Sequence, residues 1–570
     1  MATGVIDARR EALERRWDDV MAPGRWEPLT LAALFEATAR RYPERPLVIA
    51  DEGEYSYGEM RDWSRALARG LIDLGVTPDE RVGILIDNRP EFVAAKLAVA
   101  WAGAIAVPLN FQYRSDDLAA ALEHSGLGVL LTIARSFTTD VVAVLDEIAP
   151  GWERGVRSAR APALRQVVLV DGARPGVLDL RGLAERGARV PETTLDRRTA
   201  GSDPAAVGDV VFTSGTSDRP LAAALTHDMV LRSAYGSAYH RGFADGWRVC
   251  FALPMYHVFG YIEGFVAALC VGGAILPRRI YNPRTMLEAI GRHRASEVLC
   301  VPTMSLTLVE EAARGSFDLA SLESVMSAAA PAPVHLWERV QRDLGPRTVF
   351  TGYGQTEVSA ATTLTLPGDA LETVAETVGC PKLGGRAADV TGDGRLARYR
   401  TIDPFSGAVL PAGAEGELSV QGPIVTRAYY GDPARTAQMI DAEGWLRSGD
   451  LGRVRPDGYL ELSGRARELY KVGGELVAPN EVEQVLTRYP GVSQAYVAGV
   501  PDPRRGAVGW AWVVAEAGAS LEPRALIRHC RAHLAPFKVP RVMRVVRADE
   551  LPMTSTGKVQ KFRLIEQARS

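Results

Sequence analysis

The chain has 570 residues, enough for roughly two to four domains of ordinary size. Hydrophobic residues make up 47% and charged residues 24%, values of a globular chain able to bury large cores. With 66 basic against 69 acidic groups the formal charge is −3, so bulk electrostatics give no reason to expect nucleic acid or an anionic membrane as partner.

The first twenty residues mix both charge signs and lack the apolar core of a secretory signal. Leu31–Arg41 and Tyr57–Leu74 carry apolar residues at helical spacing, and Arg81–Ile86 reads as a strand. Glu91–Ala102 reads as a helix, Ala104–Pro108 as a buried strand and Ser115–Ser125 as a further helix. Val167–Val170, Val210–Phe212, Val249–Leu253 and Glu297–Val301 are short apolar runs bounded by turns. Strands alternating with helices predict largely parallel sheets covered by helices. Residues 151–205, rich in Arg, Ala, Gly and Pro, read as a variable excursion. No apolar stretch is long and uninterrupted enough to predict a membrane span.

After about residue 384 the texture changes. Arg398–Ile402, Gly416–Gln421 and Tyr459–Leu462 are separated by Gly- and Pro-bearing turns, as in a smaller antiparallel or barrel-like unit. A compact tail follows, with helices at Asn480–Arg488 and Arg524–Leu534 and strands at Val492–Val500 and Trp510–Ala515. A hinge is expected near Gly464–Glu468. Cys250, Cys270, Cys300, Cys380 and Cys530 are scattered singly, which predicts reduced, buried thiols in a cytoplasmic protein. Only six lysines occur, and four lie in the last hundred residues, where a compact point charge has uses that arginine cannot fill.

Val210–Phe212 runs into Thr213-Ser-Gly-Thr-Ser217, a hydroxyl-rich turn able to aim N–H and O–H groups at phosphate oxygens. Taken alone, the same residues also describe an ordinary Ser/Thr/Gly turn. Further motifs follow in order: Thr226-His227, Leu253-Pro-Met-Tyr-His-Val-Phe-Gly260, Ser327-Ala-Ala-Ala-Pro331 and Gly352-Tyr-Gly-Gln-Thr-Glu357. Then come Gly416-Glu417, Trp445-Leu-Arg-Ser-Gly-Asp450, Ser463-Gly-Arg465, Gly473-Gly-Glu475 and Pro552-Met-Thr-Ser-Thr-Gly-Lys558. This ordered set, spread over nearly the whole chain, resembles the acyl-CoA synthetase, adenylation-domain and luciferase superfamily of adenylate-forming enzymes.

The resemblance implies an α/β fold. A large N-terminal AMP-binding domain (1–463) of two α/β subdomains and a small β-barrel-like subdomain would precede a small mobile α+β domain (464–570). It implies ATP and Mg²⁺ as cofactors, a small-molecule acid as substrate and coenzyme A as acceptor. Thr213, Ser214, Gly215 and Thr216 match the phosphate loop; Ala328 and Tyr353 match the adenine and acid pocket. Thr356 matches a phosphate-contacting hydroxyl, and Glu357 the magnesium-associated acid, a suitable oxygen ligand for a hard cation. Asp450 matches the aspartate that accepts from both ribose hydroxyls, and Arg465 a further ribose contact. His257 matches the residue that lines and gates the acid pocket. Lys558 matches the lysine that bridges the substrate carboxylate and the α-phosphate. Arg467 stands at the hinge position, and Lys471, Gly473 and Gly474 match the segment used in the second half-reaction.

The pattern breaks in the phosphate loop. Where the family has Thr-Gly-x-Pro-Lys-Gly, this chain has Ser217, Asp218, Arg219, Pro220, Leu221 and Ala222. Both flanking glycines and the lysine are gone, which reduces the freedom of the loop. Two explanations stay open: an active ligase with a tuned loop, or a pseudoenzyme that binds without turnover. The Pro-Met-Tyr-His context resembles the aryl- and acyl-CoA ligase branch. The runner-up keeps adenylation but passes the activated group to an amine, as in amide synthetases or nitrite-dependent diazotase-like relatives.

Overall fold

Strands that are apolar throughout can be buried on both faces, and the chain uses them in two seven-stranded sheets. The computed structural model of the chain describes residues 2–21, 23–213, 221–388, 392–473, 475–516, 518–553 and 559–569. Two compact units are present: Met1–Arg398 with Gln421–Leu446, and Tyr399–Val420 with Arg447–Ser570. The 463/464 division expected from the sequence falls inside the second unit.

In unit one, the first sheet runs Leu178–Asp179, Gln166–Leu169, Val129–Thr132, Arg81–Leu85, Ile105–Pro108, Val207–Phe212, Ala222–Thr226. All neighbours are parallel except the last two strands, which form an antiparallel hairpin. The second sheet runs Thr348–Phe350, Ser324–Ser327, Glu297–Cys300, Arg248–Phe251, Ala274–Pro277, Pro46–Ile49, Glu54–Ser56, again parallel up to its last pair. A short antiparallel sheet joins Gly352–Gln355, Ala360–Leu364 and Cys380–Pro381.

The helices form where the periodicity predicts them. Leu31–Arg41 and Ser115–Ser125 have the expected bounds. Tyr57–Asp73 starts at a capping box: Ser56 Oγ accepts from Glu59 N, and Glu59 Oε2 accepts from Ser56 N. Residues 151–205 are not a loose excursion. They supply two strands of the first sheet and the helices Leu180–Gly187 and Glu192–Ala200. Two glycines bring Leu180–Gly187 tight against Tyr57–Asp73: a Cβ on Gly70 would stand 2.1 Å from Leu183 O, and one on Gly187 2.3 Å from Ala66 O. The arginine-rich composition of this region misleads because part of it serves ion pairs such as Arg186–Asp73.

Unit two holds a four-stranded sheet in chain order, Arg398–Ile402, Gly416–Gln421, Leu446–Val454 and Leu460–Arg465. A second sheet runs Glu475–Val477, Tyr470–Val472, Gly506–Ala515, Val492–Asp502, and Val542–Val546 lies parallel to Gly506–Ala515. Helices Pro479–Thr487 and Pro523–His533 stand near the positions expected for them. All five cysteines are unpaired and buried. Among the described residues no helix is long and apolar enough to cross a membrane.

Candidate active site

The strands on either side of the hydroxyl-rich segment form the hairpin that closes the first sheet. Phe212 pairs with Ala222, and Thr213 N donates to Leu221 O at 2.7 Å, so ladder bonds set both ends of the loop. Ser214, Gly215 and Thr216, with the divergent positions 217–220, lie outside the described residues. Beneath the hairpin the buried pair Lys96 Nζ–Asp209 Oδ1 (2.9 Å) ties the helix Pro90–Trp101 to strand Val207–Phe212. Thr226 caps the helix His227–Arg241, its Oγ1 accepting from Met229 N. Burial, with Lys96 adding to it, pushes the His227 imidazole down to about 3.

Gly352-Tyr-Gly-Gln-Thr-Glu357 forms an edge of the short sheet and then a single 3₁₀ turn, Thr356–Val358. Only glycine fits at 354, since a Cβ there would lie 1.8 Å from Ala360 O. Thr356 is buried, and Glu357 is 9% exposed. The Tyr429 hydroxyl donates to Glu357 Oε1 at 3.0 Å, and Thr426 N donates to the Glu357 carbonyl at 2.7 Å. Burial, then the adjacent carboxylate, holds the Tyr429 phenol well above its ordinary range, so it stays a donor. Tyr353 is half-buried, with its N–H on Thr363 Oγ1. The chain leaves the turn through Ser359 and Ala360, at φ 55° and 80°, a left-handed pair without glycine.

His257 follows the strand Arg248–Phe251 and precedes a π-helical turn, Phe259–Val266. Phe259 N donates to His257 Nδ1 at 3.2 Å, which in the neutral ring leaves the proton on Nε2. Asn88 fixes the approach to this residue: its Nδ2 donates to Leu253 O at 2.8 Å, and its Oδ1 accepts from Met255 N at 2.8 Å. The expected strand Val249–Leu253 therefore stops at Phe251, because a side chain takes over the backbone bonds. Ala328 is buried after strand Ser324–Ser327, and Ala329 beside it stands at φ 75°.

In unit two, Asp450 and Arg465 are register partners on antiparallel strands, with Arg465 Nε 3.1 Å from Asp450 Oδ1. Asp450 is 7% exposed. The strand residues just before it are held from the neighbouring strand by Glu417: its Oε1 accepts from Gly449 N at 3.1 Å and its Oε2 pairs with Arg447, while Ser448 Oγ donates to Leu418 O at 2.7 Å. Arg467 lies in the 3₁₀ turn Ala466–Glu468. Lys471 is exposed on strand Tyr470–Val472, and Gly473 turns at φ 60° with its N–H on Arg505 O. Gly474 and Lys558 lie outside the described residues. Met553 and Val559 form an isolated antiparallel bridge, and Lys561 pairs with Glu468 (2.7 Å) and Glu483 (2.8 Å).

A family model described as AMP-binding enzyme matches residues 35–430, and one described as AMP-binding enzyme C-terminal domain matches residues 481–558. The chain belongs to the AMP-binding enzyme family. It is 36% identical over 538 residues to a methyl-dioxo-octahydro-indenyl-propanoyl:CoA ligase of Mycobacterium tuberculosis, covering 94% of this chain and 98% of the relative. Among solved structures it resembles the amide bond synthetase McbA from Marinactinospora thermotolerans (TM-score 0.79, 27% identity, 94% and 99% of the two chains). The anthranilate CoA ligase AuaEII in complex with anthranoyl-AMP shares the fold (TM-score 0.79, 23% identity, 95% and 98% covered).

Within unit one of this AMP-binding enzyme, the hairpin and the Glu357 turn are joined through residues 426–430. Tyr429 bridges to Ala223 on the hairpin while its hydroxyl reaches Glu357. Tyr429 and Asn88 escape sequence reasoning. Neither stands in a motif that sequence reasoning singled out, and their partners are far away in sequence.

Proposed function

We propose that this AMP-binding enzyme is an acid–thiol ligase. A carboxylate oxygen of the acid attacks the α-phosphorus of ATP, the bond to the β-phosphate bridging oxygen breaks, and acyl-AMP and pyrophosphate form. The sulfur of coenzyme A then attacks the acyl carbon, AMP leaves with the bonding electron pair, and the thiol proton passes to solvent. The observation that carries the reading is the buried Glu357, its carboxylate held by the Tyr429 hydroxyl and its main-chain carbonyl by Thr426 N, beside the phosphate hairpin.

Glu357 fits Mg²⁺. Among the described residues no group of three or more His, Cys, Asp or Glu side chains could cage a metal. One carboxylate plus phosphate oxygens and water is the way Mg²⁺ is held in nucleotide sites. When bound, the ion would neutralise phosphate charge as pyrophosphate separates. Thr213, Ser214, Gly215 and Thr216 would cradle the phosphates, with Thr356 beside Glu357. Tyr353 would pack on adenine, and Ala328 would line the pocket. Asp450 would accept from both ribose hydroxyls, with Arg465 beside it as a further ribose contact. His257 would line the acid pocket with Nε2–H as its donor. Lys558 would bridge the two reacting anions. Residues 464–570 would turn about Arg467, bringing Lys471, Gly473 and Gly474 into use for thioester formation. The setting is the cytoplasm of a bacterium, with the acid and coenzyme A as partners.

The test is AMP release from ATP and Mg²⁺ across aromatic, bicyclic and aliphatic acids, each with coenzyme A, with an amine and with neither. AMP tied to one acid and raised by coenzyme A supports the ligase. Stimulation by an amine instead selects the second reading, which the likeness to an amide bond synthetase favours. ATP binding with no AMP from any acid points to the pseudoenzyme.

A further inference from the structure

Four charges lie fully buried behind the Glu357 turn. Arg241 Nη1 meets Glu297 Oε2 at 2.6 Å and Arg241 Nη2 meets Glu263 Oε2 at 3.2 Å, while Lys382 Nζ stands 3.5 Å from Glu263 Oε1. All four side chains are 0% exposed. Ser324 Oγ donates to Glu297 Oε1 at 3.0 Å, and Lys382 Nζ donates to Ser237 Oγ at 2.8 Å and to both oxygens of Ser233 at 3.0 Å. Burial pushes Lys382 down to about 8 and lifts Glu297 to about 7, so these charges are held against their solvation. A hydrophobic cluster of the same volume would commonly be as stable or more so, which makes stability a poor reason for the quartet.

Its outward bonds converge on one place. Glu263 Oε1 accepts from Ala361 N at 3.1 Å, and Ser233 Oγ, itself held by Lys382, donates to the Ser359 carbonyl. These two peptide groups lie on either side of Ala360, the second residue of the left-handed pair Ser359–Ala360 that reverses the chain just after Glu357. We infer that the Arg241–Glu263–Lys382–Glu297 quartet is a positioning device for Glu357, clamping the strained reversal from both sides so that the carboxylate is held where magnesium-bound ATP needs it. The inference rests on the nucleotide role proposed for Glu357. None of the four residues touches substrate; each acts through the turn.

The experiment measures ATP binding by titration calorimetry with Mg²⁺ and, separately, with EDTA. General damage to the fold weakens both, whereas a displaced Glu357 removes the advantage of the magnesium form. The double variant Glu263→Gln/Lys382→Met deletes one charge of each sign and leaves Arg241 paired with Glu297. It should weaken MgATP binding about tenfold and change metal-free ATP binding by less than about twofold. Adding Ala360→Gly, which adopts φ 80° without strain, should restore most of the loss. Ser233→Ala, which cuts the bond to the Ser359 carbonyl and takes one acceptor from the Lys382 ammonium but leaves all four charges in place, should reproduce part of it and serves if the double variant does not fold. Unchanged MgATP binding in the folded double variant, or in Ser233→Ala, overturns the inference, as does failure of Ala360→Gly to rescue. Glu357→Gln is run alongside. If it loses the magnesium advantage while the quartet variants keep it, the clamp alone is wrong; if it keeps the advantage, the proposed role of Glu357 falls first.

Discussion

His240 offers a test whose magnitude comes directly from burial. Its ring is fully enclosed on helix His227–Arg241, where Leu383 N donates to Nδ1 at 3.0 Å and Nε2 meets Thr365 O at 3.0 Å. That pair of bonds suits one neutral tautomer and excludes the cation. Burial first, with Arg10, Lys382 and Arg395 adding to it against the Thr365 bond, drives the imidazole from 6.5 to about 3. A folded pKa below the unfolded one means that the unfolded chain binds the extra proton. The contribution is present above pH 6.5 and is lost as pH falls towards 3. Between pH 7.5 and 5.0 the loss is about 2 kcal/mol, from about 1.4 kcal/mol per unit over roughly 1.5 units. His240→Gln removes the titration. The stability gap between wild type and variant, read from the urea transition of unit one, should therefore shrink by about 2 kcal/mol from pH 7.5 to 5.0. A gap of the same size at both values would refute the reasoning, since the cost would then be lost packing. His227, also pushed to about 3 with Lys96 and Asp203 as its charged neighbours, should behave alike.

Further expectations concern the turns and the loop. Gly354→Ala drives a Cβ against the Ala360 carbonyl and should cut acid-dependent AMP formation at least about tenfold, measured beside circular dichroism to show that the fold persists. Ala329→Gly removes a left-handed alanine and should stabilise unit one by about 1 kcal/mol in thermal unfolding; no gain would mean that the turn carries little strain. Asp450→Asn turns one carboxylate acceptor into a donor and should raise KM for ATP about tenfold, with KM for the acid unmoved. Leu221→Lys, tested by pyrophosphate exchange, should raise the adenylation rate if the missing loop charge limits it, and an unchanged rate means that the other loop residues compensate.

The architecture was legible because periodicity and burial agree over most of the chain. Leu31–Arg41 shows this: one apolar stripe marks the helix in the sequence, and the same residues are helical in space, where Thr30 caps them. Phe259–Val266 shows where that logic ends, since a segment apolar on every side has no stripe from which to read a π turn. Motif order singled out Glu357, Asp450 and Glu417, yet not the Tyr429 phenol that holds the Glu357 carboxylate, because it acts across a long separation in the chain. The quartet left one faint mark in the sequence. Glu263 stands alone inside Phe259-Gly-Tyr-Ile-Glu-Gly-Phe-Val266, and an isolated acid in an apolar run demands a partner that only the fold can name.

Strand Ala222–Thr226 ends its sheet and would otherwise present a bare row of backbone donors and acceptors. Residues 428–430 cover that row: Ala224 N bonds to Ala428 O and Tyr430 N to Ala222 O. The same three residues carry the phenol that anchors Glu357. Solubility and assembly of the nucleotide site therefore share one seam. A substitution that loosens it would leave an open template for strand addition between molecules, so impaired variants of this segment should be recovered as aggregates rather than as inactive monomers.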